Sequence, residues 1–314
     1  MELGEKVKRN LMGEFPFTHK IHKNESFLSG CVCFDSEYRA MAFLPEHHYF
    51  CDHVKPITDL MFLLECARQA ETYIVHRYEH QPFDTKFILA EWSCEFLEDF
   101  IPTVNLQGKN IAFNVITDNS RRVRHKLISQ EYKANAFLND NYMAVVHMLV
   151  KYMSAEAYYK MRSKGNNQTI KIEPFVFEQA VNVLPEYVYR RCYDNVVVKF
   201  PKFESNKATS TLTVNMNNTA YFDHAQDHYP AMVLMEAGKQ NCQLFISRFS
   251  SNKTPILTAM KSRFFSYAEF NKEVQIISEK IGCNQKNKTI FNVLLKQGGV
   301  SIAEMAYSFQ MVDI

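Results

Sequence analysis

Two stretches of the chain are apolar at helical spacing, and the rest alternates. Over residues 60–78, Phe62, Leu63, Cys66, Ala67, Ala70, Tyr73 and Ile74 form a stripe wide enough for a helix enclosed on most sides. Asp59 precedes it as an N-cap. A second long helix is predicted over 230–249, with Pro230 near its first turn. Runs with strand character surround each helix. In the first half they are 27–34, 39–44, 87–96, 111–116, 127–137 and 142–153. In the second half they are 195–200, 209–214, 257–265, 274–281, 289–296 and 303–311. Residues 1–17 read as an irregular arm, 154–162 as a short helix, and Ser163-Lys164-Gly165-Asn166-Asn167-Gln168 as a linker. Each half therefore predicts an α+β unit, one long helix wrapped by an antiparallel sheet. The expected division is a first domain over 18–162, a linker over 163–185 and a second domain over 186–314.

The two helix entrances repeat one another. Adding 171 to the residue number carries Asp52 to Asp223, His53 to His224, Leu63 to Leu234, Glu65 to Glu236 and Gln69 to Gln240, while Arg68 becomes Lys239. Identities in register at so long a spacing indicate an internal duplication of a whole domain.

The repeated residues are also those with chemistry. A carboxylate in an apolar helix must be paired, hydrogen-bonded or protonated. Glu65 has Arg68 and Gln69 three and four residues on, and Glu236 has Lys239 and Gln240. Desolvation raises such a carboxyl and a cation lowers it, so Glu65 and Glu236 are expected to be poised near neutrality as bases. His224 and His228 are candidate proton shuttles. Backbone N–H groups at the helix starts, near 58–61 and 230–233, are candidate oxyanion donors. The competing reading makes each Glu–cation pair only an internal ion pair. His53 is balanced between surface and site, and His47, His48 and His76 read as surface residues.

Composition narrows the class. The chain has 314 residues, 46% hydrophobic content and net charge +2, which predicts a globular two-domain protein without the basic footprint of a nucleic-acid binder. The densest basic run, Arg121-Arg122-Val123-Arg124-His125-Lys126, reads as a solvated turn and strand start, with a docking patch for an acidic group as the alternative. No apolar run approaches the ~20 residues of a membrane span, and the first residues lack a signal pattern. A cytoplasmic location with eight free cysteines is expected. Cys31-Val32-Cys33 is a poor half-site for zinc, and neither metal nor cofactor is predicted.

A family resemblance rests on these motifs. Pro230-Ala231-Met232-Val233-Leu234-Met235-Glu236 is similar to the proline-to-glutamate run of hotdog-fold thioester dehydratases. Across nearly the whole chain the sequence resembles the A-factor biosynthesis (AfsA-type) hotdog proteins, the γ-butyrolactone autoregulator synthases. The residues that carry this are His22-Lys23, the 63–70 run around Glu65, Tyr158-Tyr159-Lys160-Met161-Arg162, Asp194-Asn195-Val196-Val197, and the 223–237 run around His224 and Glu236. The sequence departs from the family in Lys239, where Arg is usual, and Ala231, where Gly is usual. Lys cannot make the two-pronged contact of Arg.

The resemblance implies two tandem hotdog domains paired within the chain, with sites where the two halves meet. It implies an acyltransferase that joins a β-ketoacyl thioester of acyl carrier protein or CoA to the hydroxyl of a small phosphorylated acceptor such as dihydroxyacetone phosphate. The implied catalytic residues are Glu65, Arg68, Asp223, His224, Glu236 and Lys239; Asp52, His53, Gln69, His228 and Gln240 would bind substrate. The partners are the thioester and the acceptor, with neither nucleic acid nor membrane, and a homodimer of tandem units is possible. One of the two sites is expected to be fully catalytic. The alternatives are a hotdog dehydratase or hydrolase, or a non-catalytic binder of acyl chains or carrier protein. Phe222 stands where a dehydratase His would be expected, two positions before His224, which disfavours dehydration.

Overall fold

The computed structural model describes residues 15–35, 37–100, 102–165, 183–249, 253–283 and 288–313. Two long helices are present, α1 (Leu60–Arg77) and α3 (Ala231–Phe249), with the shorter α2 (Ala155–Gly165) between them. Strands β1 (Leu28–Phe34), β2 (Glu37–Phe43), β3 (Lys86–Phe96), β4 (Asn110–Val123), β5 (Lys126–Leu138) and β6 (Asn141–Met153) belong to the first half. Strands β7 (Val198–Phe203), β8 (Lys207–Leu212), β9 (Thr254–Phe264), β10 (Val274–Cys283), β11 (Lys288–Gln297) and β12 (Val300–Val312) belong to the second.

All twelve strands form one antiparallel sheet in the order β1-β2-β4-β5-β6-β3-β9-β12-β11-β10-β8-β7. The second six repeat the first six in reverse, so the two halves are related by a pseudo-twofold at the β3–β9 seam, where Glu91 pairs with Arg263 and Ser93 with Lys261. The duplication thus builds, within one chain, the pairing expected of two hotdog units. α1 packs on strands of the first half and α3 on strands of the second, and the two helices touch each other. Inward residues alternate along the strands that face them, as with Ile111, Phe113 and Val115 of β4.

Two differences from the sequence expectation have local causes. β4 runs on to Val123, well past residue 116, because its hairpin with β5 supplies backbone hydrogen bonds to an exposed polar tip that no apolar pattern marks. The tip turns at Arg124 and His125, both with left-handed φ, which places the basic run on an exposed hairpin end with Arg122 paired to Glu79. At the edge, β7 starts at Val198, not residue 195, because Gln240 captures the Asn195 carbonyl and the Val197 N–H first. Most of the expected linker, 166–182, lies outside the described residues. No described helix is long and apolar enough to cross a membrane.

Candidate active site

Each long helix carries its carboxylate inside the core. In α1 every residue from Leu60 to His76 is buried except Arg68. Asp59 caps the helix by accepting from the Met61 N–H at 2.9 Å. α3 buries Val233 to Ile246 without interruption. Neither Glu65 (4% exposed) nor Glu236 (0%) faces water, so each needs partners.

Glu65 has four contacts to three partners. Arg68 donates through Nε (2.8 Å) and an Nη (2.7 Å), Gln69 donates through Nε2 (2.9 Å), and the Lys20 ammonium lies 3.1 Å away. Gln69 also ties α1 to the segment before β1, bonding the Glu25 carbonyl and the Phe27 N–H. Glu236 repeats the pattern. Arg190 donates at 2.7 Å, Lys239 lies at 2.7 Å, and Gln240 donates at 2.8 Å while holding Asn195 and Val197. The two cations trade places: Lys20 and Arg68 in the first cluster, Arg190 and Lys239 in the second. The guanidinium that Lys239 cannot supply comes from a different part of the chain.

The loops cross between halves. Asp223 of the second half accepts the Ile21 and His22 N–H groups at 2.7 and 2.8 Å, which sets His224 beside the Glu65 cluster. Asp52 of the first half accepts the Arg191 and Cys192 N–H groups, both at 3.2 Å, and the Asn195 amide at 2.7 Å. Each cluster is thus assembled from both halves.

The clusters differ in access. Around Glu65, the side chains of Arg68 and His224 keep 27% and 38% of their surface exposed. Around Glu236, the side chains of Arg190, Lys239, Asp59 and His53 keep 6% or less. Asp59 adds a second carboxylate there, 3.3 Å from Lys239, 3.5 Å from Arg190 and 2.9 Å from His53 Nε2. Two buried cations meet two buried carboxylates, and the second cluster closes on itself. The position matching Asp59 in the second half is Pro230. Hence α1 starts under a side-chain cap, whereas at the start of α3 the Val233 and Leu234 N–H groups turn back to the Pro230 carbonyl.

The electrostatics correct one expectation. Glu65 is not poised near neutrality. Burial alone would raise it, but Arg68, Lys20 and Gln69 together hold it well below the usual carboxylate range. Glu236 is likewise lowered, by Arg190 and Lys239 against burial. Two cations act on each carboxyl where the sequence suggested one. The imidazoles stay neutral instead. His224 is lowered by burial against the pull of Asp223. His19 is lowered to about 3 by burial, with His76, Arg68, His224 and Lys86 adding to it.

Several expected roles move. His22 and Lys23 are exposed; it is His19 and Lys20, three residues earlier, that enter the site. His53 is buried on Asp59, away from the open cluster. His48 and His76 are not surface residues, since the His48 side chain pairs with Glu25 at 2.9 Å and His76 is 5% exposed. His228 is held by Asp227 at 2.6 Å, and Asp227 also takes the Tyr158 hydroxyl and Arg162, so the 158–162 motif braces the loop that carries His224. His19, Lys20 and Arg190 were absent from the sequence reading. Aligning His19-Lys20 with Tyr189-Arg190 at a spacing of 170 would have found them.

Comparison with known proteins agrees with this architecture. The family described as A-factor biosynthesis hotdog domain matches twice, at residues 14–154 and 174–313. A 2-oxo-3-(phosphooxy)propyl 3-oxoalkanoate synthase of Streptomyces virginiae is 22% identical over 297 residues, 90% of this chain and 96% of the relative. Among solved structures, a putative oleoyl thioesterase from Lactobacillus plantarum superposes with a TM-score of 0.55 at 12% identity, covering 89% of this chain and 98% of that one. The dehydratase domain from the CurF module of curacin polyketide synthase gives a TM-score of 0.52 at 12% identity, covering 90% and 98%. The chain belongs to the A-factor biosynthesis (AfsA) hotdog family and carries the domain twice.

Proposed function

We propose that the protein is an acyltransferase acting at the Glu65 cluster alone. It would move a β-ketoacyl group from a carrier-protein or CoA thioester to the hydroxyl of a small phosphorylated acceptor such as dihydroxyacetone phosphate. The product class is the precursor of a butenolide or γ-butyrolactone signal. The observation that carries this reading is the asymmetry between the clusters: one is open and lined by imidazoles, the other is a sealed set of ion pairs. The name of the Streptomyces virginiae relative describes the ester of such an acid and such an acceptor.

Both Glu65 oxygens are occupied, by Arg68, Gln69 and Lys20, so this carboxylate is not free to take the hydroxyl proton. Its role is to fix Arg68 and Lys20. A guanidinium has five donors, and Arg68 spends two of them on Glu65, with a third near Thr72 Oγ1 at 3.4 Å. Its partly exposed edge and the Lys20 ammonium suit an acceptor phosphate. Proton transfer falls to the neutral imidazoles, and developing charge on the thioester oxygen to the first N–H groups of α3. The Glu236 cluster is assigned to joining the two halves.

The test is incubation with a β-ketoacyl thioester, with and without dihydroxyacetone phosphate, following free thiol and products by mass spectrometry. Thiol release that requires the acceptor, with the phosphorylated ester as product, is the expected result. Release without acceptor would mean hydrolysis, and no release would mean a binding protein; either outcome overturns the assignment.

A further inference from the structure

One imidazole pair is unassigned by the duplication and present in the open half alone. His19 Nε2 lies 2.6 Å from His76 Nε2, and His76 Nδ1 lies 2.9 Å from the Gln81 carbonyl. A carbonyl only accepts, so His76 Nδ1 carries the proton and its Nε2 is an acceptor. His19 Nε2 must then be the donor, which leaves on His19 Nδ1 a lone pair with no partner among the described residues. The tautomer is fixed by two hydrogen bonds that end on neutral groups. In a Ser-His-Asp arrangement a carboxylate does this work and stabilises the protonated ring; here the orienting group is neutral and does not.

The packing holds the ring in place. His19 has a left-handed backbone (φ 57°), sits edge-on to Phe87 at 5.1 Å, and pairs with His76, which stacks on Phe83 at 4.9 Å. The charged or titratable groups that act most on His19 are cations or other imidazoles: His76 and Arg68 from α1, His224 from the loop before α3, and Lys86 from β3. The ring therefore stays unprotonated at neutral pH.

The other half shows what the pair is not needed for. Tyr189 takes the place of His19, with the same φ of 57° and the same position just before the cluster's cation. Ser247 takes the place of His76, 171 residues on. The sealed cluster forms its ion pairs and its Gln240 bridge without the histidines. The pair is thus dispensable for the fold of a half and is retained where the cluster is open.

We propose that His19 is the catalytic base of the open site, accepting the acceptor's hydroxyl proton on Nδ1, and that His76 is a positioning residue that fixes its tautomer. This rests on the acyl-transfer reading. In the step, the acceptor O–H bond breaks and its proton passes to His19 Nδ1. The alkoxide forms a C–O bond at the thioester carbonyl, the C–S bond breaks, and the leaving thiolate takes the proton back from His19. Products are the ester and the free thiol, with no net proton change.

The experiment compares the full chain with His19→Gln and His76→Leu in single-turnover transfer from a β-ketoacyl thioester, over pH 5 to 8, with thioester affinity and thermal melting measured alongside. His19→Gln is expected to lose at least 100-fold in rate with thioester affinity within threefold. His76→Leu is expected to lose about tenfold, because His19 is then free to adopt either tautomer. ¹⁵N spectra of the wild-type imidazoles should show His19 protonated on Nε2 and bare on Nδ1 at pH 6. A His19→Gln rate within threefold of wild type, or a proton on Nδ1, overturns the proposal. If wild-type release needs no acceptor, the transfer reading fails separately, and the same variants then decide His19 with water as the nucleophile. If the wild type does not turn over at all, both readings fall.

Discussion

Asp59 reaches Lys239 across the seam between the halves, at 3.3 Å. No carboxylate matches it at the open cluster, where Pro230 stands. Asp59 completes the charge balance of the sealed cluster and is held well below the usual carboxylate range, by Lys239, His53 and Arg190 against burial.

Asp59→Asn keeps a capping side chain for α1 and removes only the charge. It leaves an excess buried cation, which costs about 3–5 kcal/mol. A fall in melting temperature on the order of 10 °C is expected at pH 7 by calorimetry. The sign with pH follows from the lowered carboxyl: its stabilisation is present above its unfolded value of 3.8 and is lost as pH falls toward the folded one. The gap between wild type and Asp59→Asn should therefore shrink below pH 4. A constant gap from pH 7 to pH 3 would show that the charge is not what Asp59 contributes.

Glu65→Gln and Glu236→Gln should separate function from stability. Glu65→Gln loosens Arg68 and Lys20 in the open cluster, and acyl transfer should fall at least 100-fold while the protein remains folded. Glu236→Gln leaves Arg190 and Lys239 with Asp59 as their one shared carboxylate, in a site with 0% exposure at residue 236, and should cost about 3–5 kcal/mol of stability. Folded Glu236→Gln protein should keep transfer within about threefold of wild type, measured below its melting temperature. Equal activity losses in the two variants would contradict the one-site assignment.

The parts of this arrangement that lie on one helix were readable from the sequence, because Glu65, Arg68 and Gln69 are neighbours on a helical surface whatever the rest of the chain does. Twelve strands and two long helices were placed close to where they occur, since their inward faces alternate or stripe. The cations from elsewhere were not readable. Arg190 lies 46 residues before Glu236, and Asp223 meets Ile21 over a separation of 202. Those contacts depend on how two halves dock, which no local period encodes. Glu65's lowered carboxyl was missed for that reason: one cation was visible and the second was not. His76 was read as a surface residue because a histidine near a helix end gives no sign of Phe83 stacked upon it.

Gly238 offers a test of the packing between α3 and β12. A glycine inside a helix is normally worse than alanine by about 1 kcal/mol, so Gly238→Ala would stabilise an exposed helix. Here a Cβ would sit 2.6 Å from the Tyr307 hydroxyl, which donates to the Met235 carbonyl at 2.8 Å. The clash outweighs propensity, and Gly238→Ala should destabilise by about 1–3 kcal/mol. The double variant with Tyr307→Phe should recover part of the loss in urea melts. A more stable Gly238→Ala protein would show that Tyr307 has room to move.

Glu71 carries the fold's clearest alkaline liability. It is 1% exposed on α1, takes the Tyr152 hydroxyl at 2.6 Å and the Thr72 hydroxyl at 3.1 Å, and burial raises it to about 7 from 4.5. The folded chain therefore keeps this proton to about pH 7, while the unfolded chain loses it near 4.5. Between those values the native state binds more protons, so stability falls as pH rises and then levels off. The shift corresponds to about 3 kcal/mol at most. Glu71→Gln keeps a neutral hydrogen-bonding group in the same volume. It should match wild type at pH 4 and exceed it by up to about 3 kcal/mol at pH 8 in urea denaturation. Parallel stability curves for the two proteins would mean that Glu71 stays ionised in the core, with Tyr152 and Thr72 sufficient to hold the charge.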